Sequence, residues 1–166
     1  MGNINEKLRT INGAIRQGDL SLVKANLDDD DDALNAEVAL GTWLHTAAAR
    51  GQLEIVKYLM SRGLSINVQS DLSDKKAICN AVAGGHSEIV DYFLSEGADI
   101  DVNHPVVNPL FDAILENHIR IAKTLIDTGM DTAVKYTTET MKDMDALDFA
   151  KEYGRDEIIS MLEEVR

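Results

Sequence analysis

Thr42-Trp43-Leu44-His45-Thr46-Ala47-Ala48-Ala49-Arg50-Gly51-Gln52-Leu53-Glu54-Ile55-Val56-Lys57-Tyr58-Leu59-Met60-Ser61-Arg62-Gly63 reads as two short helices divided by a glycine. Thr42 is a good N-cap, because its hydroxyl can satisfy an orphan backbone N–H. Leu44 and Ala47, three apart, make a narrow apolar stripe on the first helix. Gly51 suits the left-handed position that closes it, Ile55/Val56 form the apolar centre of the second, and Gly63 ends that one. The aliphatic/alanine pair then recurs outward in both directions. Ile11/Ala14, Ile78/Ala81, Leu110/Ala113 and Leu147/Ala150 give alanine spacings of 33, 34, 32 and 37 residues. A period in that range predicts stacked helix–turn–helix units whose cores lie between neighbours.

The other units supply the same punctuation. Asn108 and Asp145 stand where Thr42 stands, and Pro109 falls at the first helical position, where its missing N–H costs nothing. Gly18, Gly85 and Gly154 occupy the place of Gly51, and Asn117 takes it in the fourth unit. Second helices carry Leu22/Val23, Ile89/Val90, Ile121/Ala122 and Ile158/Ile159, and Gly97 and Gly129 close two of them. The quoted stretch resembles an ankyrin repeat, with Trp43 in place of the pattern's proline. Gly85-His86-Ser87-Glu88-Ile89-Val90 and Asn108-Pro109-Leu110-Phe111 keep other parts of that pattern, while Lys76-Ala77-Ile78-Cys79 departs from it. The resemblance covers about residues 8–165. It implies an all-α ankyrin solenoid of about five repeats joined by β-turn fingers. We expect one domain, 1–166, with repeats near 8–40, 41–74, 75–106, 107–140 and 144–166.

Composition narrows the function. The aromatic content of 5% suits thin aliphatic layers better than one deep core. One cysteine, Cys79, excludes an intrachain disulfide framework and fits a reducing compartment. No apolar stretch follows Met1, so no secretory leader is expected, and no run reaches the ~20 apolar residues of a membrane span. These readings predict a cytoplasmic protein. The net charge of −13 would repel phosphate backbones and anionic membrane surfaces. Between Ala25 and Ala49 there are six acids and no Lys or Arg, a patch that would steer a basic partner.

Catalytic signatures are missing: there is no G-x-S-x-G, P-loop or G-x-G-x-x-G. We therefore expect no enzyme, no catalytic residue, no cofactor and no small-molecule substrate. His45, His86, His104 and His118 show no metal-ligand spacing, and no metal is expected. The resemblance implies that His45 is a hydrogen-bonding strut. Asp28, Asp29, Asp30, Asp31 and Asp32 fail the EF-hand pattern, with Ala33 at the glycine position and Ala39 at the glutamate position. Two readings of the run stand, a solvated loop or a docking site for a basic protein. Trp43 also has two, a binding anchor or a ring packed on the adjacent loop.

Ligands of the family usually meet the concave side, formed by fingers and first helices. By position the fingers are residues 38–41, 71–75, 104–107 and 136–144. The exposed first-helix positions include Arg16/Gln17, Ala49/Arg50 and Leu115/Glu116. Residues 135–142 read as an enlarged finger or a linker. The expected partner contacts are Asp28 to Asp32, Val38, Trp43, Arg50, Leu72, Asp74, His104, Val107, Glu116 and Tyr136. The expected function is binding of a protein, basic in character. Small acidic ankyrin proteins in bacterial toxin neighbourhoods are similar, which makes an inhibitor or immunity-type role one concrete expectation. A passive scaffold or assembly subunit is the alternative.

Overall fold

The computed structural model describes residues 2–166, with side chains from residue 4 onward. The described residues contain eleven helices and, outside them, three isolated antiparallel bridges. They divide into two compact units, 1–98 and 99–166.

The first unit holds three helix pairs: α1 (Gly2–Gln17) with α2 (Leu20–Leu27), α4 (Trp43–Ala49) with α5 (Leu53–Ser61), and α6 (Ala77–Ala83) with α7 (Ser87–Ser95). Between the first and second pairs lies α3 (Asp31–Leu34). First helices stack on first helices, α1 on α4 on α6, and second helices likewise, α2 on α5 on α7. The second unit holds α8 (Pro109–Leu115) with α9 (Ile119–Asp127), and α10 (Ala146–Glu152) with α11 (Asp156–Glu164), stacked in the same manner. All five aliphatic/alanine pairs are buried. Alanine lets the first helices approach closely, and the neighbouring aliphatics fill the layer between them.

The turns follow the expected punctuation. Gly18, Gly51, Gly85 and Gly154 adopt positive φ after the first helices, and so does Asn117, with φ 57°. Asn108 accepts a hydrogen bond from the Leu110 N–H, and Asp145 accepts one from Asp148. At Gly51 the requirement is spatial as well as conformational, since a Cβ there would lie 2.7 Å from the His86 ring.

Neighbouring pairs are tied by side chains that reach backbone carbonyls. His45 is fully buried, and its Nδ1 accepts the Thr42 N–H at 3.1 Å. Nε2 must then carry the proton, and it donates to the Lys75 carbonyl at 3.0 Å. Burial lowers the His45 pKa below its ordinary value, partly offset by the Lys75 carbonyl. His86 reaches the Ala49 carbonyl at 3.1 Å. In the second unit Arg155 takes the same place in sequence and donates to the Ile114 and Leu115 carbonyls. The His86 and Arg155 contacts satisfy carbonyls left without intrahelical partners at helix C-termini, whereas the His45 contact holds the finger that precedes α6.

Two segments for which the sequence left alternatives open take definite forms. The acidic run is not simply a solvated loop: Asp30 caps α3 by accepting the Ala33 N–H at 2.9 Å. Residues 136–144 form an ordered hairpin closed by the Tyr136–Met144 bridge, the enlarged-finger form of the two readings. Its Lys135 and Asp143 pair at 3.1 Å, and Met141 is buried.

Candidate functional site

The candidate contact residues fall into four groups. The first is the α2–α3 segment. Asp28 accepts from the Tyr58 hydroxyl at 2.7 Å and from Arg62 at 3.1 Å. Asp30 pairs with Lys7 at 2.5 Å, and Asp31 lies 3.5 Å from Arg62. Asp29 and Asp32 are exposed. The Lys7 ammonium and the Ala33 N–H hold the Asp30 carboxyl below its usual range. Burial, with the Asp28 carboxylate beside it, raises the Tyr58 phenol. Three of the five acids are therefore engaged by the first unit's own cations and donors.

Trp43 explains why this segment is ordered. Its ring is fully buried and its indole N–H donates to the Ala33 carbonyl at 2.7 Å. The residue that replaces proline at the start of α4 thus pins α3 from inside. This corrects the anchor reading of Trp43: no indole surface remains for a partner, and the packed-ring alternative is the one observed. A tryptophan at the first helical position has no volume to spare unless a neighbouring element covers it, and α3 is that element.

The second group is a groove of about 620 Å³ in the first unit, between α1, the finger at residues 38–41 and α4. Val38 and Arg50 meet there, joined by Leu8, Arg9, Arg16 and Leu40. The finger is a tight turn in which Val38 and Gly41 exchange hydrogen bonds of 2.6 and 2.8 Å. Gly41 sits at φ 115°, and a Cβ there would crowd Ser70 and the His45 ring. The buried histidine therefore supports the groove wall. Arg16 and Arg50 were among the exposed first-helix positions of the sequence reading. Arg9 was not, although its spacing of seven residues from Arg16 places both on one face of α1.

The third group is the finger bridged at Gln69 and Lys76. Asp74 supplies its turn with φ 54°, and Leu72 at the tip is 73% exposed, the most exposed large apolar side chain described. The fourth lies in the second unit. His104 heads a turn, its Nδ1 accepting the Val106 N–H at 3.2 Å, and Val107 is half-buried beside it. Glu116 is exposed at the end of α8. Tyr136 requires a second correction, from finger surface to core. It is 6% exposed, packs edge-on to Phe111 at 5.2 Å, donates to the Val102 carbonyl at 2.6 Å and accepts from Asn108 at 3.0 Å. Burial pushes its phenol pKa up.

No group of three or more His, Cys, Asp or Glu among the described residues could hold a metal ion. Cys79 is buried and free of any disulfide. No helix among the described residues is long and apolar enough to cross a membrane.

Residues 11–104 match a family model described as ankyrin repeats (3 copies). The match spans more than half of the chain, which belongs to the ankyrin repeat family. No curated protein matches the chain. Ankyrin repeats are in general protein–protein interaction modules, and the family is typically non-enzymatic.

Proposed function

We propose that this ankyrin repeat chain binds a protein partner through its fingers and first helices, as one non-catalytic functional domain in the cytoplasm. The observation that carries this reading is Leu72, 73% exposed at a fingertip. Leu40 and Val106 sit on two of the three other fingers and are 38% and 50% exposed. Single apolar residues on a surface need no explanation. Their recurrence on successive fingers does, because the part of each side chain left in water contributes no packing energy. A partner that buries a fingertip leucine gains ~1.5–3 kcal/mol from that side chain.

A net charge of −13 favours a partner that is basic overall, and an inhibitor of such a partner is the concrete form of the reading. The acids open to it in the α2–α3 segment are Asp29 and Asp32, the two not engaged by Lys7, Tyr58 or Arg62. Association should then slow as salt rises and slow further in Asp29→Lys/Asp32→Lys. A scaffold would instead show two independent contact surfaces.

The test is capture by the immobilised chain, comparing Leu72→Ser and Val106→Ser with Leu22→Ser on the second helix of the first pair. Loss in the finger variants alone supports the proposal. Loss only in Leu22→Ser moves the binding surface to the second helices and contradicts it.

A further inference from the structure

In a chain with nearly twice as many acids as bases, several unpaired cations gathered in one place are informative, unlike single exposed ones such as Lys142. Here Lys7, Lys57, Arg62, Lys123, Lys135, Lys151 and Arg166 all pair with carboxylates, and Arg155 is committed to two carbonyls. The guanidiniums of Arg9, Arg16 and Arg50 form no ion pair or hydrogen bond among the described residues, and all three residues line the α1–α4 groove. No carboxylate lines it with them. Glu6 precedes Arg9 by one helical turn and Glu37 adjoins Val38, but neither carboxylate lines the groove. Arg16 and Arg50 stand at the C-terminal ends of α1 and α4, where a positive charge offsets the helix dipole. That role leaves their guanidinium donors unused.

We infer that this groove seats an acidic peptide segment of the protein partner, its carboxylates on Arg9, Arg16 and Arg50 and an apolar side chain on Leu8, Val38 and Leu40. The inference rests on the protein-binding reading and names what one part of that surface recognises. Planar guanidiniums hold carboxylates in paired, charge-assisted hydrogen bonds, which suits a peptide better than a diffuse polyanion. Arg9 and Arg16 are two helical turns apart, about 10.5 Å of rise. An extended strand advances ~3.3 Å per residue and only alternate side chains share a face, so acids four positions apart, about 13 Å, lie on one side of the strand within reach of the two long arginine side chains. The remaining acids of the chain do not forbid this. At ~0.1 M salt the screening length is about 10 Å, and the groove's own charges dominate inside it.

The experiment uses fluorescence anisotropy of the whole chain at ~0.1 M salt. The probe is a short labelled peptide with two glutamates four positions apart and a leucine midway between them, compared with its glutamine counterpart and with inorganic phosphate as competitor. The glutamate peptide should bind at least ten-fold more tightly than the glutamine peptide. Arg9→Gln/Arg16→Gln should abolish that difference, and Lys123→Gln on α9 should not. Arg9→Glu/Arg16→Glu should reverse the preference toward a lysine peptide. Equal binding of the two peptides, wild-type affinity in Arg9→Gln/Arg16→Gln, or displacement by phosphate at the same concentration as peptide would overturn the inference. So would concentration-dependent self-association lost with the arginines, which would make a second copy the occupant. The two readings fail separately. Partner capture lost in Leu72→Ser but unchanged in Arg9→Gln/Arg16→Gln removes only the acidic-segment assignment.

Discussion

The α2–α3 segment and the α1–α4 groove carry opposite charges, and the fold treats those charges in opposite ways. Asp28 to Asp32 is the densest run of charge in the sequence, yet Asp28, Asp30 and Asp31 are drawn toward Lys7, Tyr58 and Arg62. Arg9, Arg16 and Arg50 are scattered over some forty residues of sequence, and they converge on one groove without partners. Charge visible in a sequence is therefore a poor guide to charge available for binding. What decides is whether a complementary group lies within reach after folding.

The strongest way to break this contrast is at Trp43. Trp43→Ala removes a fully buried indole and its hydrogen bond to Ala33. A loss of ~3–5 kcal/mol in urea unfolding is expected, as for large-to-small core substitutions. Amide exchange should accelerate first in α3. A loss below ~1 kcal/mol, with α3 still protected, would mean that the acidic segment is ordered by something else.

The groove side depends on His45, which backs Gly41 and clamps the finger carrying Lys75. His45→Ala leaves buried partners unsatisfied and should cost ~2–3 kcal/mol. A pH dependence accompanies it. The folded pKa of His45 is depressed, so the unfolded chain takes up the proton first as pH falls. Its contribution is complete above the ordinary value of 6.5 and declines as pH drops from there toward the folded pKa. Urea midpoints of wild type should fall below pH 6.5, and that part of the fall should be absent from His45→Ala. Parallel profiles would show that the ring is not held neutral.

Much of the fold was readable because its signals are local. An aliphatic/alanine pair, a cap and a left-handed residue each report on their own helix, and Asn117 could stand for glycine because its side chain tolerates positive φ. The corrections concern distant partners. Nothing near Trp43 in the chain announces that Ala33 will accept its indole proton, and Tyr136 is buried by contacts to Val102, Asn108 and Phe111. A periodic reading also treats Asp28 to Asp32 as one block, whereas the fold sorts its members singly. Arg9 was missed for the same reason, since its significance lies in what it faces across the groove.

Smaller effects sharpen the sorting within the acidic run. Asp28→Ala should lose ~1 kcal/mol through the Tyr58 and Arg62 contacts. Asp32→Ala, without such contacts, should stay within ~0.5 kcal/mol of wild type. Equal losses at the two positions would restore the picture of a uniform solvated loop.

The most direct measurement compares two double variants by urea unfolding, because self-repulsion in this acidic chain gives the two outcomes opposite signs. If the acids were merely solvated, Asp28→Ala/Asp30→Ala would relieve repulsion and raise the midpoint, and Arg9→Gln/Arg16→Gln would lower it. With the acids consumed by the fold and the arginine donors idle, the aspartate pair should lower the midpoint clearly and the arginine pair should lower it less, by no more than the ~0.3–1 kcal/mol of Arg16's helix-dipole contribution. A raised midpoint for the aspartate variant, or a larger loss for the arginine variant, would contradict the account.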